Sequence, residues 1–447
     1  MHHVFARTAA TAIAVALLAP ATRFDASTAA HAGACRGGGD AAPPPTIAST
    51  ATRLPAIEPP PSLAGPFAFG VWLQDPLRII KGKTTAEHYH KMGITHWVGI
   101  YDWPSEVLRY PGYNLQAAAE LQRLGYRVFA GEDLTAVAWN EQNAQFADTF
   151  VGYLVGDEAD MTKASIPSHH PNTFRANCQA VREADPTRAL WANFGKGFAK
   201  IPWNGYQAFP GPTIQDDHNK FTEFLDFASV DFYGNTDPYE FPNYCGIWTY
   251  GRAIDNTRYY VDANPYNPGI PVWGFVECGS TFVNHTGLYP QMPRDLIQPT
   301  VWNLIVHGAQ GITYFAHNVG PGSMNATYPI ETPEVAAAIR ATNASVTAYG
   351  AVLARPTVAG TTVTTSGSVP VTALTKDFGR DTYVFAMGDG NAAHRLGAAV
   401  DATIALPTYG AFVEVLGESR TLPIVDSSFT DHFGAYELHV YRIPNSH

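Results

Sequence analysis

Two glutamates in this chain each close a short apolar run. Glu158 ends Val151-Gly152-Tyr153-Leu154-Val155-Gly156-Asp157-Glu158, and Glu277 ends Pro271-Val272-Trp273-Gly274-Phe275-Val276-Glu277. Neither run has helical spacing. A run buried on both faces that stops on a carboxylate is the pattern of a strand in a parallel barrel, whose carboxyl end delivers the acid to the open mouth. Two carboxyl groups delivered in this way can divide their work: one gives and takes a proton, the other attacks a carbon directly or activates a water.

The elements that must position the pair follow from the rest of the pattern. Eight strand-like runs, at 67–73, 95–101, 126–131, 150–155, 189–193, 228–233, 272–276 and 311–315, alternate with helix-like stretches at 85–92, 115–124, 140–148, 172–184, 219–227, 249–263, 293–307 and 333–349. Gly93 and Gly125 stop the first two helices, and Pro293 opens the seventh. Eight β-α units in sequence predict an α/β fold, a (β/α)8 TIM barrel over 67–350. From 351 to 447 the pattern changes to strands at 360–364, 382–386, 398–406, 412–415 and 436–442, with turns at Gly388-Asp389-Gly390 and Gly417, which predicts a C-terminal antiparallel β-sandwich. Glu158 then follows the fourth barrel strand and Glu277 the seventh, 119 positions apart (277 minus 158), the length that three intervening units consume.

At this point the chain resembles the clan A glycoside hydrolases, barrel enzymes with an acid/base glutamate after strand four and a nucleophilic glutamate after strand seven. The resemblance covers the barrel and implies that Glu158 is the acid/base and Glu277 the nucleophile of a retaining hydrolysis, without a cofactor or metal. Clan members carry Asn before the acid/base to bind the sugar 2-hydroxyl; here that position is Asp157, which can accept from the hydroxyl but not donate, and whose charge raises the pKa of Glu158. The departure leaves open an acid role for Asp157 itself. Tyr233 is the residue the resemblance implies for orienting the nucleophile, and His317, past the eighth run, stands where the clan often has tryptophan. Asn193, Tyr101, Asp102, Glu132 and Asp133 end other runs and are placed to line the mouth. Trp72, Gln74, Trp103 and Trp203 are candidates for contacting and stacking on sugar rings. Two other readings stay open: an inverting hydrolase that uses Asp157 or Glu158 as its acid, and a non-catalytic carbohydrate-binding barrel.

Composition bounds the partners. The 447 residues are 46% hydrophobic and 15% charged, which excludes a disordered chain, and the net charge of -11 with no long basic run excludes a nucleic-acid backbone as the expected partner. Residues 1–34 read as a signal peptide, with Arg7 before an apolar run at 9–19 too short to span a bilayer, so the expected location is secreted or cell-surface. Cys35 follows Ala32-Gly33-Ala34 and is a candidate lipid anchor at the head of a Pro/Gly/Ser-rich linker over 35–66. Four cysteines make no disulfide scaffold; Cys178 with Cys245 is the pairing to try first, and buried free thiols are the alternative. His169-His170 and Asp216-Asp217-His218 read as a solvent-exposed loop and a helix entry.

Overall fold

The computed structural model describes residues 65–161, 169–200, 214–237, 246–281, 291–320, 323–394, 397–407 and 410–444. The expected leader, Cys35, nearly all of the linker, Trp203 and Cys245 lie outside them.

Eight strands form a closed barrel: β1 (Ala68–Trp72), β2 (His96–Val98), β3 (Arg127–Phe129), β4 (Phe150–Asp157), β5 (Ala189–Phe194), β6 (Phe227–Val230), β7 (Val272–Glu277) and β8 (Gly311–Phe315). Their order around the barrel is their order in the chain, and the pairs β1–β2 through β4–β5 and β7–β8 run parallel. The described chain divides into two compact units, one of 70–229 with 259–271, the other of 65–69, 230–258 and 272 onward.

In the first unit the longer helices between strands are α1 (Thr85–Lys91), α2 (Tyr113–Arg123), α3 (Leu134–Gln142), α4 (Pro171–Ala184) and α5 (Ile214–Thr222). Thr84 and Glu87 close a capping box at the head of α1, satisfying two backbone donors that a helix start leaves orphaned. Two helices start earlier than the sequence suggests, for local reasons. Asp133 accepts from Thr135 N and begins α3 at residue 134 rather than 140, which spends on capping a carboxylate expected at the mouth. Asp216 and Asp217 lie inside the first turn of α5, where carboxylates complement the helix dipole. In α4 the buried residues Phe174, Cys178 and Val181 share one face; Cys178 is a free buried thiol, and Cys245, its expected partner, lies outside the described residues. His170 is not a bare loop residue: its ring accepts from Asn172 N and caps α4.

The second unit contains β7, β8, most of α6 (Trp248–Asp262), α7 (Ile297–Val306), α8 (Pro333–Thr347) and two antiparallel sheets. The sheets hold β9 (Thr362–Thr365), β12 (Val400–Ala405) and β15 (Ser428–Phe433) in one, and β10 (Val371–Phe378), β11 (Asp381–Gly388), β16 (Leu438–Pro444), β13 (Phe412–Val415) and β14 (Arg420–Pro423) in the other. Val384, Val413, Tyr441 and Ile443 of one sheet and Val400, Ala402, Ile404, Phe429 and Phe433 of the other enclose a common core, the expected sandwich. Strands β10, β14 and β15 were not legible in the sequence. In β15 only Phe429, Asp431 and Phe433 are buried, and Asp431 takes the inward place because both Arg420 and Tyr441 hydrogen-bond it.

Helix α7 is held on two sides within this unit. Gly274 of β7 lets Leu304 approach to where a Cβ would sit 2.5 Å from it. On the other side Trp302 stacks on Phe385 of β11, with centroids 5.9 Å apart. Beyond its end, His307, its side chain 9% exposed, lies between Asp255 of α6 and Asp389, just past β11: Nδ1 and Nε2 each meet a carboxylate oxygen at 3.0 Å. Burial alone would lower the imidazole pKa, but the hydrogen bonds and charges of the two aspartates outweigh it and raise it from 6.5 to about 9. A histidine raised in the folded state contributes stability that is complete below the unfolded pKa and lost as pH rises through the folded one. His307→Gln is therefore expected to lower unfolding free energy by about 3 kcal/mol more at pH 6 than at pH 10. Urea unfolding at the two pH values checks this, and an equal loss at both would show that the imidazole is neutral in the folded protein.

Candidate active site

The end of β4 carries the first group of acids. Its pairing with β5 slips: Leu154 faces Trp191, Gly156 faces Ala192 and Asp157 faces Asn193. Two steps of β4 thus oppose one of β5, a bulge of the kind that re-aims side chains near functional sites. It carries β4 two residues past the run expected to end at 155 and sets Asp157 beside Asn193. Asn193 is 1% exposed; its Nδ2 donates to Asp157 Oδ1 at 3.0 Å, while its Oδ1 accepts from Ser229 Oγ at 2.8 Å. Gly156 has no room for a side chain, since a Cβ would lie 2.5 Å from the Phe174 ring of α4.

Glu158 leaves the strand with φ 47°, in the left-handed region, and its amide donates to Asn193 O at 2.9 Å. A Cβ on Gly195 would come 3.4 Å from Glu158 Oε1. Burial, then the charge of Glu158, raises the pKa of Asp157 to about 7 against the pull of the Asn193 amide. Glu132, past the end of β3, is raised to about 7 by burial and by the charges of Asp157 and Asp133. Asp157 thus feels the charge of Glu158 and passes its own on to Glu132, and the two raised carboxyls, Asp157 and Glu132, hold protons near neutral pH. Asp160 is a structural acid, accepting from the amides of Gly195 and Phe198.

Glu277, the last residue of β7, is fully buried in the second unit. Tyr250 OH donates to its Oε1 at 2.5 Å and Thr236 Oγ1 does so at 3.2 Å, whereas Oε2 has no hydrogen-bond partner among the described residues. Thr236 is in turn 2.7 Å from Thr281, and Tyr250 OH accepts from Asn235 N at 3.1 Å. Burial raises the Glu277 pKa to about 7, opposed by the hydrogen bonds of Tyr250 and Thr236. The phenol on this carboxylate is thus Tyr250. The residue implied for that task, Tyr233, lies three positions past β6 with its ring against Phe315, centroids 5.4 Å apart. Tyr250 sits in the first turn of α6. The signal that could have found it is topological: a helix following a barrel strand begins near that strand's carboxyl end.

Trp72 is 4% exposed and packs on Trp191, and Trp103, 8% exposed, stacks on Phe150 with its edge against Trp139, so both are core rings without an open face for a sugar. Gln74 is likewise buried, its carboxamide bonded to Trp72 O and Tyr89 OH. Tyr101 keeps a partly exposed ring with the Arg109 guanidinium 5.6 Å from its centroid. Asp102 has φ 58°, and burial raises its carboxyl pKa. His317 is 4% exposed beside Phe315, and burial lowers its pKa to about 4, so it is neutral at pH 7. Among the described residues no group of three His, Cys, Asp or Glu side chains could hold a metal ion.

No family model and no curated protein matches the chain. Solved structures to which it is similar include a glycoside hydrolase at TM-score 0.49 and 11% identity, with 85% of this chain and 93% of the other covered. Another is a glycoside hydrolase family 5 protein from Bacteroides vulgatus ATCC 8482, at TM-score 0.49 and 12% identity, covering 85% and 89%. A third is an alpha-L-arabinofuranosidase from Thermotoga maritima, at TM-score 0.45 and 11% identity, covering 87% and 98%.

A carboxyl raised from 4.5 to about 7 has a charged form that the fold disfavours, so stability falls as pH climbs from 4.5 to 7 and stays low above it. Glu277→Gln removes that charge and is expected to match the parent at pH 4.5 and to exceed it by up to about 3 kcal/mol at pH 8. Tyr250→Phe is expected to lose stability at pH 8, because the hydroxyl favours the ionised form. Urea unfolding of the three proteins at both pH values decides it; no gain for Glu277→Gln at pH 8 would mean that the parent carries no buried charge there.

Proposed function

We propose that the chain is a glycoside hydrolase that acts on a poly- or oligosaccharide by a retaining double displacement. Glu158 protonates the departing oxygen while Glu277 attacks the anomeric carbon and forms a glycosyl ester; Glu158 then deprotonates the water that releases it. The observation that carries the reading is the carboxyl at the end of the seventh strand, with one oxygen held by Tyr250 and Thr236 and the other left without a partner among the described residues. A carboxylate fixed at one oxygen is aimed by the other. Beside Glu158 at the end of the fourth strand, Asp157 is raised to about 7 by burial and by the Glu158 charge, so this strand end carries a carboxyl that holds a proton near neutrality. The expected leader makes the proposed site of action extracytoplasmic, which a secreted-fraction assay of the expressed chain tests.

The full burial of Glu277 favours a second reading, a barrel that binds carbohydrate without cutting it. A panel of α- and β-linked aryl glycosides and polysaccharides separates the two, with the parent beside Glu277→Ala, Glu158→Ala and Asp157→Asn. Glu158→Ala is expected to lose roughly a hundred- to ten-thousandfold in kcat/KM on leaving groups that need a proton. Glu277→Ala is expected to be inactive and to be rescued by azide as a glycosyl azide of inverted configuration. Activity of Glu277→Ala equal to the parent's would remove the nucleophile; loss in Asp157→Asn with Glu158→Ala still active would move the acid to Asp157; glycan capture with no cleavage would leave the binding reading.

A further inference from the structure

Barrel interiors are ordinarily filled by branched apolar side chains. At the ends of β4, β5 and β6 this one instead has a line of polar side chains, Ser229, Asn193 and Asp157, of which the first two are 0% and 1% exposed. The line has a direction. Ser229 Oγ donates to Asn193 Oδ1, which turns the amide nitrogen toward Asp157, and that nitrogen donates to Asp157 Oδ1. An asparagine alone does not fix which way its amide faces; the hydrogen-bond network around it does. With Oδ1 committed as an acceptor, a proton on this carboxyl belongs on Oδ2.

We propose that Ser229 and Asn193 are positioning residues that act through Asp157: they hold its Oδ1 as an acceptor and leave Oδ2 to carry the proton or to meet a hydroxyl of the sugar. The proposal rests on the glycosidase reading for its consequence but not for its geometry. The charge that acts on Asp157 is that of Glu158 from its own strand end, and Asp157 with Asp133 acts in turn on Glu132 past the end of β3. All are acids; the Asn193 amide opposes the push of Glu158, and removing it raises the Asp157 midpoint.

The test follows the side-chain carboxyl carbon of Asp157 by 13C NMR in protein labelled at aspartate, with Asp157→Asn assigning the signal, in the parent, Ser229→Ala, Ser229→Thr and Asn193→Leu. Asn193→Leu is expected to raise the midpoint by about one pH unit, the scale of one hydrogen bond to a charged group. Ser229→Ala is expected to shift it by a smaller amount in the same direction, and Ser229→Thr, which keeps the hydroxyl, to leave it in place. On any substrate found, the corresponding limb of the kcat/KM profile should move in the same order. An unchanged midpoint in Ser229→Ala and Asn193→Leu, or equal shifts in Ser229→Ala and Ser229→Thr, would reduce the line to packing. Shifted midpoints in a protein that cuts no glycoside would keep the line and discard the hydrolase reading; unmoved midpoints in a protein that does cut would do the reverse.

Discussion

The bulge in β4 is the constraint on which the first half of the site depends. In an unbroken parallel ladder Gly156 would face Asn193, and Asp157 would fall one step further on. Because Leu154 and Gly156 oppose consecutive residues of β5, Asp157 and Asn193 instead become neighbours on one side of the sheet. The bulge is tolerated because the helix side of the strand has a glycine at 156, where the Phe174 ring occupies the place of a side chain. Burial of the acid follows from the same packing, and with it the rise of its pKa.

The second unit solves a different problem, holding a carboxyl group where water does not reach it. An ionised buried carboxylate needs donors, and Glu277 has two on one oxygen and none on the other among the described residues. Such an arrangement persists only if the surrounding framework is stiff. Here β7 is backed by α7 through the Gly274–Leu304 contact, and α7 is fastened to the sandwich by the Trp302–Phe385 stack and by the hydrogen bonds of Asn303 and His307 to the buried Asp389. The sandwich thus has a structural use independent of any glycan: it removes freedom from the helix behind the seventh strand.

What the sequence disclosed and what it hid divide along physical lines. The eight strands were legible because a strand buried on both faces is a continuous apolar run, as in β7, where every residue is buried. Strand ends were not, because a bulge leaves no composition signature: Gly156-Asp157 looks like the start of a loop and is the end of β4. Helix α3 was misplaced because Asp133 reads equally as a mouth carboxylate and as a cap, and only the geometry assigns it to Thr135 N. Trp72 and Trp103 show the same ambiguity for aromatic rings, since a tryptophan near a strand end can face a ligand or the core, and packing partners such as Trp191 and Phe150 are distant in sequence. Tyr250 was hidden because it belongs to a helix, where its neighbours suggest only amphipathic packing.

Asp157 is where the chain departs from the resembled enzymes, and the surrounding chemistry makes the departure self-consistent. An asparagine there would donate to a sugar hydroxyl and leave Glu158 without a charged neighbour. An aspartate beside Glu158 feels that charge, and Glu132 in turn feels the aspartate's, so both carboxyls, already raised by burial, give up their protons less readily. Once ionised, Asp157 cannot donate; while protonated it donates through Oδ2. The structure places a donor within reach of the same carboxyl, the Asn193 amide, and Ser229 turns it the right way. The acid and the amide that orients it thus sit on adjacent strands: burial raises the carboxyl on β4 into the neutral range, and the amide of β5 holds one of its oxygens.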